Sequence, residues 1–448
     1  MNGEFEILFC GTGAADHDWS HYGRRGVRGS CSTLLDGRVL VDCGTTGFRS
    51  LVRNGIAPRA LRELWFTHSH SDHCAPAEVA ALLAARGRAA APLLLRGTAP
   101  LLARLGAALE AAGPAGRFEF RPLEPLAPFR TLGWTATALP ANHLGSIPGE
   151  TCVHYLVRAP GASLLYALDG AWMTTAARRA IGSGPLDLVV WDATVQRPGD
   201  WRIFEHNDLA MVRTMSARLA ADGVVRPGTV QVLDHLAATL WDSPARAPRP
   251  FVAARDGLRL AAPREAAVSL GSNLGDRAEN LRRALRLLAA TPGVRLLARS
   301  AIYETEPVDV PPEFAGQDYL NAVAVFEVAL PLDAWSARCH AVEDALGRVR
   351  TGYHHPRTID VDLLCCGAAV RDAPHLHLPH PQIASRRFVC APLAEVRPDL
   401  RLPGFSGTVA ELLAALPPRP AVRLSAERWD RPSASLRPAR GARRTRRP

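Results

Sequence analysis

The sequence predicts a two-domain protein in which an α/β domain is followed by a smaller α+β domain. The chain has 448 residues, which at about 100–200 residues per domain suggests two or three domains. Short apolar strands alternate with helices as far as residue 262, and a new strand–turn–helix series begins after Pro263. Both series place metal-binding residue types at or beside apolar strands, so we expect one site in each domain.

The composition is that of a globular protein with no membrane segment. No apolar run approaches the roughly 18–20 residues of a membrane span, and no basic region precedes the first apolar run as in a signal peptide. The nine cysteines are scattered without CxxC spacing, which favours a reducing cytoplasm over a disulfide framework. Of the formal net charge of +10, +6 lies in the tail from Asp430 to Pro448. We predict a disordered tail, with weak nucleic-acid or anionic-surface contact as the alternative.

Strands and turns of the first domain lead directly to candidate site residues. We read STLLDGRVLVDCG as two strands joined by an Asp-Gly turn, and we predict a second such hairpin in FVAARDGLRLAA. Between them, LRELWFTH is predicted to be a strand that ends at histidines. The apolar strands SLLYALDG and LDLVVWDAT each end in an aspartate.

Three histidines and an aspartate occupy the six positions from His68 to His73. The pair His68 and His70 and the pair Asp72 and His73 lie in one tight loop. Two such pairs can hold two metal ions about 3.5–4 Å apart, an arrangement that activates a water molecule between them. A surface loop with incidental histidines is the alternative. Further candidates at strand ends or in the following loops argue against it: His143, Asp169, His206 and His235.

These residues, with the opening GTG and the VDCG segment, resemble the metallo-β-lactamase fold over residues 4–261. Within that fold they are most similar to the phosphodiesterase branch that includes RNase Z and the PhnP-type cyclic phosphodiesterase. The resemblance implies an αββα sandwich with two Zn²⁺ or Mn²⁺ ions, and His206 as a non-ligand proton donor to the leaving oxygen. It implies a first metal on His68, His70 and His143, a second on Asp72, His73 and His235, and Asp169 as the bridge.

Two features of this domain stay open. Asp192 also ends a strand, so it is the alternative to Asp169 as the bridging ligand. Phosphodiesterase or other phosphoesterase activity is predicted. The alternatives are a non-catalytic metal-binding or regulatory module, or a hydrolase of another class, acting on RNA or on a lactone or ester.

The second candidate site lies in the segment PRTIDVDLL. Asp360 and Asp362 are two residues apart in an apolar strand, so both carboxylates point to one face. Mg²⁺ prefers oxygen ligands and takes one or two carboxylates plus substrate phosphates. Arginines suited to phosphate oxygens crowd nearby: Arg348, Arg350, Arg357, Arg386 and Arg387. The set predicts phosphoryl transfer, with a structural ion-pair network as the alternative.

Ordered motifs across residues 265–415 resemble the 6-hydroxymethyl-7,8-dihydropterin pyrophosphokinase family. They are LGSNLGD, YETEPV, QDYLNAV, EDALGRVR, PRTIDVDLL, LPHP and RRFVCAPLAEVRPDL. The resemblance implies a ferredoxin-like α+β fold and transfer of pyrophosphate from ATP to the pterin hydroxymethyl group, with release of AMP, in folate biosynthesis. It also implies two Mg²⁺ ions bound by Asp360 and Asp362.

The same resemblance implies roles for further residues. The ATP side is formed by Glu343, Arg348, Arg357, His380 and Arg386. The catalytic residues are Arg348, Arg350 and Arg357, with Arg350 on a mobile loop. The pterin pocket is formed by Asn273, Thr305, Pro307, Tyr319, Asn321 and Phe388, where an aromatic ring stacks on the bicycle and amides read its edge.

The sequence therefore predicts a cytoplasmic bifunctional enzyme. Residues 1–262 form the metallohydrolase domain, 264–428 the pyrophosphokinase domain and 429–448 the Arg-rich tail. The expected partners are ATP, hydroxymethyldihydropterin and a phosphoester, with no membrane and no nucleic acid. The fusion itself motivates the hypothesis that the first domain removes phosphate from a pterin precursor in the same pathway.

Overall fold

The computed structural model describes residues 4–87, 89–113, 117–242, 247–349 and 355–430. The chain divides into two compact units, Met1–Pro263 and Arg264–Pro448. Among the described residues no helix is long and apolar enough to cross a membrane. All nine cysteines are buried thiols. The Arg-rich tail lies outside the described residues from position 431 onward.

The N-terminal unit consists of strands and helices in an α/β order. Its strands are β1 (Glu6–Gly11), β2 (Ser32–Leu35), β3 (Val39–Val41), β4 (Glu63–Trp65), β5 (Leu93–Gly97), β6 (Phe118–Pro122), β7 (Pro128–Thr131), β8 (Trp134–Pro140), β9 (Val153–Ala159), β10 (Ala162–Ala167), β11 (Leu188–Asp192), β12 (Val230–Asp234), β13 (Val252–Ala253) and β14 (Leu258–Ala261). Its helices are α1 (Gly47–Arg53), α2 (Pro76–Arg86), α3 (Ala99–Ala111), α4 (Thr175–Ile181) and α5 (Leu209–Ala221).

Two seven-stranded sheets form the centre of this unit. Their strand orders are β14-β1-β2-β3-β4-β5-β6 and β13-β12-β11-β10-β9-β8-β7. Helices α2 and α3 cover the first sheet through leucines such as Leu82 and Leu105, and α4 and α5 cover the second. The opposite faces meet, where the Tyr155 hydroxyl donates to the Phe66 carbonyl and Tyr166 contacts Thr33. The result is a four-layer αββα sandwich.

The hairpin that we predicted in FVAARDGLRLAA is not formed. Strand β13 pairs in parallel with β12 in the second sheet, whereas β14 pairs antiparallel with β1 in the first. The partly buried Asp256 carboxylate between them accepts hydrogen bonds from Thr12 and from the Gly29 amide. These contacts hold the turn between the two sheets, so the Asp-Gly pair marks a crossing from sheet to sheet.

The sheet topology places the candidate ligands together. Strands β3 and β4 are parallel, and so are β10, β11 and β12. Strand β8 runs the same way as β10, because both pair antiparallel with β9. The loops that follow these carboxyl ends therefore leave at the same edge of their sheet. They carry the residues of the predicted metal site.

The C-terminal unit has an α+β order. Its strands are β15 (Arg264–Ser272), β16 (Val294–Arg299), β17 (Tyr303–Thr305), β18 (Tyr319–Val328), β19 (Asp360–Cys366), β20 (Arg371–Ala373), β21 (Leu376–Leu378) and β22 (Val422–Leu424). Its helices are α6 (Arg277–Ala289), α7 (Leu332–Ala345), α8 (Arg387–Val396) and α9 (Val409–Ala415). Asp276 caps α6 by accepting a hydrogen bond from the Glu279 amide at 3.1 Å.

One antiparallel sheet forms the centre of this unit. Its order is β19-β15-β18-β17-β22, and β16 pairs with the end of β18. Helices α8 and α9 cover one face through Val389, Leu393 and Val409. Helix α6 packs on β15 and β18 and helix α7 on β19, and Trp335 of α7 contacts Phe326 of β18 edge to face. The long strands β15 and β18 are buried almost throughout. Strand β19 lies at the sheet edge beside β15, which places Asp360 opposite Gly271.

Candidate functional sites

The first cluster of the N-terminal unit brings together three imidazoles. His68 Nε2 lies 3.0 Å from His70 Nδ1, and His143 Nε2 lies 3.2 Å from the same atom. The Asp169 carboxylate approaches His68 at 3.6 Å and His143 at 3.7 Å. These ligand atoms lie within 4.8 Å of one another, as a bound cation requires.

The second cluster lies directly beside the first. His73 Nε2 and His235 Nε2 are 3.3 Å apart, and His235 Nε2 is 3.3 Å from Asp72 Oδ2. Asp169 again takes part, at 3.3 Å from His73 and 3.3 Å from His235. All four side chains are buried. The donor set mixes nitrogen and carboxylate oxygen, which fits two Zn²⁺ or Mn²⁺ ions.

The two candidate bridging aspartates have different surroundings. Asp169 touches histidines of both clusters, and its buried Oδ1 accepts no hydrogen bond from the described residues. Asp192 instead accepts hydrogen bonds from Thr194 and Gly170, and from His206 Nδ1 at 2.8 Å. The geometry thus favours Asp169 as the bridging ligand, whereas Asp192 orients His206.

Hydrogen bonds behind the ligands orient their rings. His73 Nδ1 donates to Asp42 at 2.8 Å, and the Thr67 amide and hydroxyl donate to the same carboxylate. Such contacts determine which ring nitrogen remains free for a metal. Asp42, which sequence reasoning missed, directly follows strand β3 within the VDCG segment. Gly44 follows, and a Cβ at that position would lie 1.8 Å from the Asp72 carbonyl oxygen.

The titratable groups of the site shift one another's pKa values. Burial and the neighbouring His73 hold the pKa of His68 well below its usual value. Burial opposes ionisation of Asp169, but the nearby His235 and His73 hold its pKa well below the usual range. For His206, burial acts against charge, yet the Asp192 carboxylate raises its pKa to about 9. The Asp192 carboxylate thus favours the protonated form of the His206 imidazole.

A cleft opens over both clusters. It is lined by His70, Asp72, Asp169, His206 and His235 together with Arg104 and Arg202. The arginines add positive charge where a phosphate would approach the site.

In the C-terminal unit, two arginines surround the first predicted magnesium ligand. Arg348 Nη1 contacts both Glu343 and Asp360, and Arg357 Nη1 lies 3.0 Å from Asp360. The buried Glu343 also accepts a hydrogen bond from the Val361 amide at 2.9 Å. Glu343 therefore positions Arg348 and strand β19.

Asp362 lies deeper in the same site. Burial and the neighbouring charges of Asp360 and Glu343 raise its pKa to about 7. A divalent cation at this position would relieve that repulsion, so the pair of carboxylates fits Mg²⁺ with substrate phosphates as further ligands.

A cavity beside these carboxylates contains most of the predicted pterin residues. It is lined by Thr305, Tyr319, Asn321, Arg357, Asp360, Asp362, Arg386 and Phe388, among others. Asn321 Nδ2 donates to Thr305 Oγ1 at 2.7 Å, which leaves the amide oxygen of Asn321 for a ligand donor. The Arg386 guanidinium lies 5.5 Å from the Phe388 ring centroid. Pro307 lies between Glu306 and Val308, which also line the cavity.

Three predicted residues are placed differently. Asn273 does not line this cavity, and its side chain instead accepts a hydrogen bond from the Arg357 amide at 2.8 Å. His380 also lies outside the lining, where burial and the charge of Arg386 lower its pKa. Arg350 lies outside the described residues.

Comparison with known protein families identifies two regions. The model of 7,8-dihydro-6-hydroxymethylpterin-pyrophosphokinase matches residues 267–398, and that of a β-lactamase superfamily domain matches residues 37–238. The predicted two-domain fold assignment is thereby confirmed.

Curated relatives cover the C-terminal region. The 2-amino-4-hydroxy-6-hydroxymethyldihydropteridine pyrophosphokinase of Methylorubrum extorquens is 45% identical over 153 residues, which are 34% of this chain and 92% of the relative. The enzyme of the same name from Pseudomonas aeruginosa is 40% identical over 151 residues, 34% of this chain and 90% of the relative.

Solved structures similar to this chain include a diphosphatase from the PhnP family. It has 19% identity and a TM-score of 0.45, and the match covers 58% of this chain and 97% of that one. The short form of human tRNase Z has 17% identity and a TM-score of 0.44, and the match covers 58% of this chain and 99% of that one.

Proposed function

The chain belongs to the 7,8-dihydro-6-hydroxymethylpterin-pyrophosphokinase family, and we propose that the cluster around Asp360 and Asp362 is its site of pyrophosphoryl transfer. The family relationship supports transfer of pyrophosphate from ATP to the pterin hydroxymethyl group in folate biosynthesis. The observation that carries the site assignment is that Arg348 and Arg357 both contact Asp360 beside a cavity that Asp362 also lines.

In this reaction the protein's residues align the two substrates and neutralise phosphate charge. Asp360 and Asp362 would hold Mg²⁺, which when bound neutralises the charge of the transferring phosphates. Arg348 and Arg357 bind phosphate oxygens, and Asn321 orients the pterin edge. The pterin hydroxymethyl oxygen forms a bond to the β-phosphorus while the bond from that phosphorus to the α-phosphate oxygen breaks, and AMP leaves.

The test compares Asp360→Ala with Asp372→Ala in the full chain. Asp372 is an exposed carboxylate on β20, 93% accessible, so it serves as a matched control. Because Asp360 contacts both Arg348 and Arg357, we expect its loss to lower pterin-dependent AMP release at least a hundredfold. Equal rates in the two variants would remove Asp360 from the site.

We further propose that the N-terminal unit is a dinuclear metal-dependent phosphoesterase that cleaves phosphodiesters. The supporting observation is that a proton donor, the Asp192–His206 pair, lies beside two adjoining metal-ligand clusters. A phosphodiester needs its charge neutralised, a nucleophilic water and a proton for the leaving alkoxide. Arg104 and Arg202 at the cleft add a further match to an anionic substrate.

The chain's own residues supply the proton and the orientation. Metal ions held by the two clusters would neutralise the phosphate and lower the pKa of a water molecule. The water oxygen forms a bond to phosphorus as the ester P–O bond breaks. His206 Nδ1 is hydrogen-bonded to Asp192, so its Nε2–H remains to protonate the leaving alkoxide.

A leaving-group comparison tests this role for His206. The full chain, loaded with Zn²⁺ or Mn²⁺, is assayed with bis(p-nitrophenyl) phosphate and with a cyclic alkyl phosphodiester. The p-nitrophenolate ion leaves without a proton, whereas the alkoxide needs one. We expect His206→Gln to lower the alkyl rate by about 10²–10⁴-fold and the nitrophenyl rate by less than about tenfold.

The loop residue His21 provides the control. It pairs with Asp18 at the surface, so His21→Gln is expected to preserve both rates. Equal losses on both substrates in His206→Gln would exclude the proton-donor role. A metal content below about one ion per chain would favour a non-catalytic module, because the two-metal mechanism needs both ions.

A further inference from the structure

Exposed aromatic side chains are concentrated around the N-terminal metal site. Trp172 is 48% exposed, Trp201 is 68% exposed and Phe204 is 79% exposed. All other described Trp, Tyr and Phe residues are buried or partly buried. A fourth large apolar side chain, Leu144, is 70% exposed and directly follows His143. Each of these loops also carries a residue of the metal site, and exposed apolar side chains grouped in this way indicate a binding surface.

Hydrogen bonds tie these exposed residues to the metal ligands. His143 Nδ1 donates to the Glu205 carbonyl at 3.0 Å, which joins the Leu144 loop to the residue after Phe204. The Trp172 amide donates to Asn207 Oδ1 at 2.9 Å, and Asn207 Nδ2 donates to the Gly170 carbonyl at 2.7 Å. The three loops therefore form one rim beside His143, Asp169 and His206.

Backbone geometry indicates that this rim is built rather than incidental. Trp172 has a φ of +51°, a left-handed conformation that is costly for a bulky residue and is retained mainly at functional sites. Trp201 and Phe204 are the first and last residues of a 3₁₀ helix. Side chains three apart in a 3₁₀ helix project from the same side, so these two rings share one face.

A positive charge lies within the rim. The Arg202 guanidinium is 5.2 Å from the Trp201 ring centroid, and Arg202 lines the cleft together with His206 and Asp169. Aromatic faces and a stacked guanidinium bind planar rings, and the same guanidinium can contact a phosphate attached to such a ring.

We propose that Trp172, Trp201 and Phe204 bind the planar heteroaromatic ring of a phosphoester substrate whose phosphate lies over the metal clusters. This inference rests on the phosphoesterase function proposed above and adds the substrate class. The C-terminal unit belongs to a family whose reaction uses a pterin and an adenine nucleotide, and both compounds contain a planar heteroaromatic ring. A pterin phosphoester and a nucleotide are therefore the two sources to distinguish.

The test measures substrate discrimination in the metal-loaded full chain. The ring-bearing substrates are a neopterin cyclic phosphate and 2′,3′-cyclic AMP, and the ring-free substrate is glycerol 1,2-cyclic phosphate. Base–aromatic stacking is worth about 1–3 kcal/mol. We expect the wild type to prefer one ring-bearing substrate in kcat/KM, and Trp201→Ala and Phe204→Ala each to reduce that preference about tenfold, mainly through KM.

Val52→Ala is the matched control, because Val52 is an exposed apolar residue on α1 of the same unit. Hydrolysis of glycerol cyclic phosphate with no preference for either ring would overturn the rim proposal and leave the phosphoesterase function intact. Equal losses on all three substrates would show a structural role and also overturn it. If no phosphoester is cleaved with any added metal, the proposed phosphoesterase function is wrong. Binding of the two ring compounds then tests the rim separately, and unchanged affinity in Trp201→Ala would overturn the ring-binding proposal.

Discussion

The two candidate sites of this chain use different ligand chemistry and different supports. The N-terminal site gathers imidazoles and carboxylates from loops after four separate strands, and its ligand atoms face one another at 3.0–3.7 Å. The C-terminal site has two carboxylates on one strand, and Asp360 is already paired with Arg348 and Arg357. The N-terminal donors are grouped closely enough to ligate cations directly, whereas the C-terminal carboxylates lie among arginines suited to an anionic substrate.

This difference predicts how tightly each site holds metal. Imidazole nitrogen binds Zn²⁺ and related transition metals strongly, whereas Mg²⁺ prefers oxygen and keeps several waters. We therefore expect resident ions in the N-terminal unit and exchangeable ions in the C-terminal unit.

The largest expected effect comes from metal removal. Dialysis against a chelator followed by Mg²⁺ alone should restore pterin-dependent AMP release and leave phosphodiester hydrolysis more than about a hundredfold reduced. Zn²⁺ or Mn²⁺ should then restore hydrolysis. The measurement is elemental analysis with both assays on one sample. Full recovery of hydrolysis with Mg²⁺ would contradict the contrast between the sites.

The next effect concerns the ring contacts behind the N-terminal ligands. Asp42→Asn weakens the hydrogen bond that orients His73, so we expect metal affinity to fall about 10–100-fold. Chelator competition measures this affinity. Asp36→Asn, in the turn between β2 and β3, is the control. Unchanged affinity in Asp42→Asn would show that the ligands alone set metal binding.

A smaller effect is expected at the support of the C-terminal site. Glu343→Gln removes the charge that holds Arg348, while keeping an oxygen for the Val361 amide. A charged hydrogen bond is worth about 1.5–3 kcal/mol, so kcat/KM for ATP should fall about tenfold or more, with KM for the pterin little changed. The exposed Glu313→Gln serves for comparison. A selective effect on the pterin KM would place Glu343 on the other side of the site.

The smallest expected effect is on stability. Asp276 caps α6, and Asp276→Ala should lower the free energy of unfolding of the C-terminal unit by about 1 kcal/mol. Denaturant unfolding followed by loss of ATP-dependent activity and by circular dichroism measures it. An unchanged midpoint would mean that tertiary packing alone holds the start of this helix.

Candidate site residues could be recognised from the sequence where all members of a set lie within one segment. The spacing of His68, His70, Asp72 and His73 and the i, i+2 aspartates on β19 were readable because each set lies within one loop or strand. The FVAARDGLRLAA segment was misread because an Asp-Gly turn looks the same in a hairpin and in a crossing between sheets. The partner strand decides between these, and it lies more than two hundred residues away.

The sequence by itself determined the donor types, their order and the family of the C-terminal unit. Tertiary structure placed Asp169 against histidines of both clusters and Asp192 against His206. Asp169 and Asp192 both end neighbouring parallel strands, but Asp169 lies just beyond β10 with a φ of +51°, whereas Asp192 is still within β11. That turn directs the Asp169 carboxylate toward the histidines, and it leaves Asp192 to hold His206. Tertiary structure also brought the loop of Trp172 beside the loop that follows Phe204, because the Trp172 amide donates to Asn207.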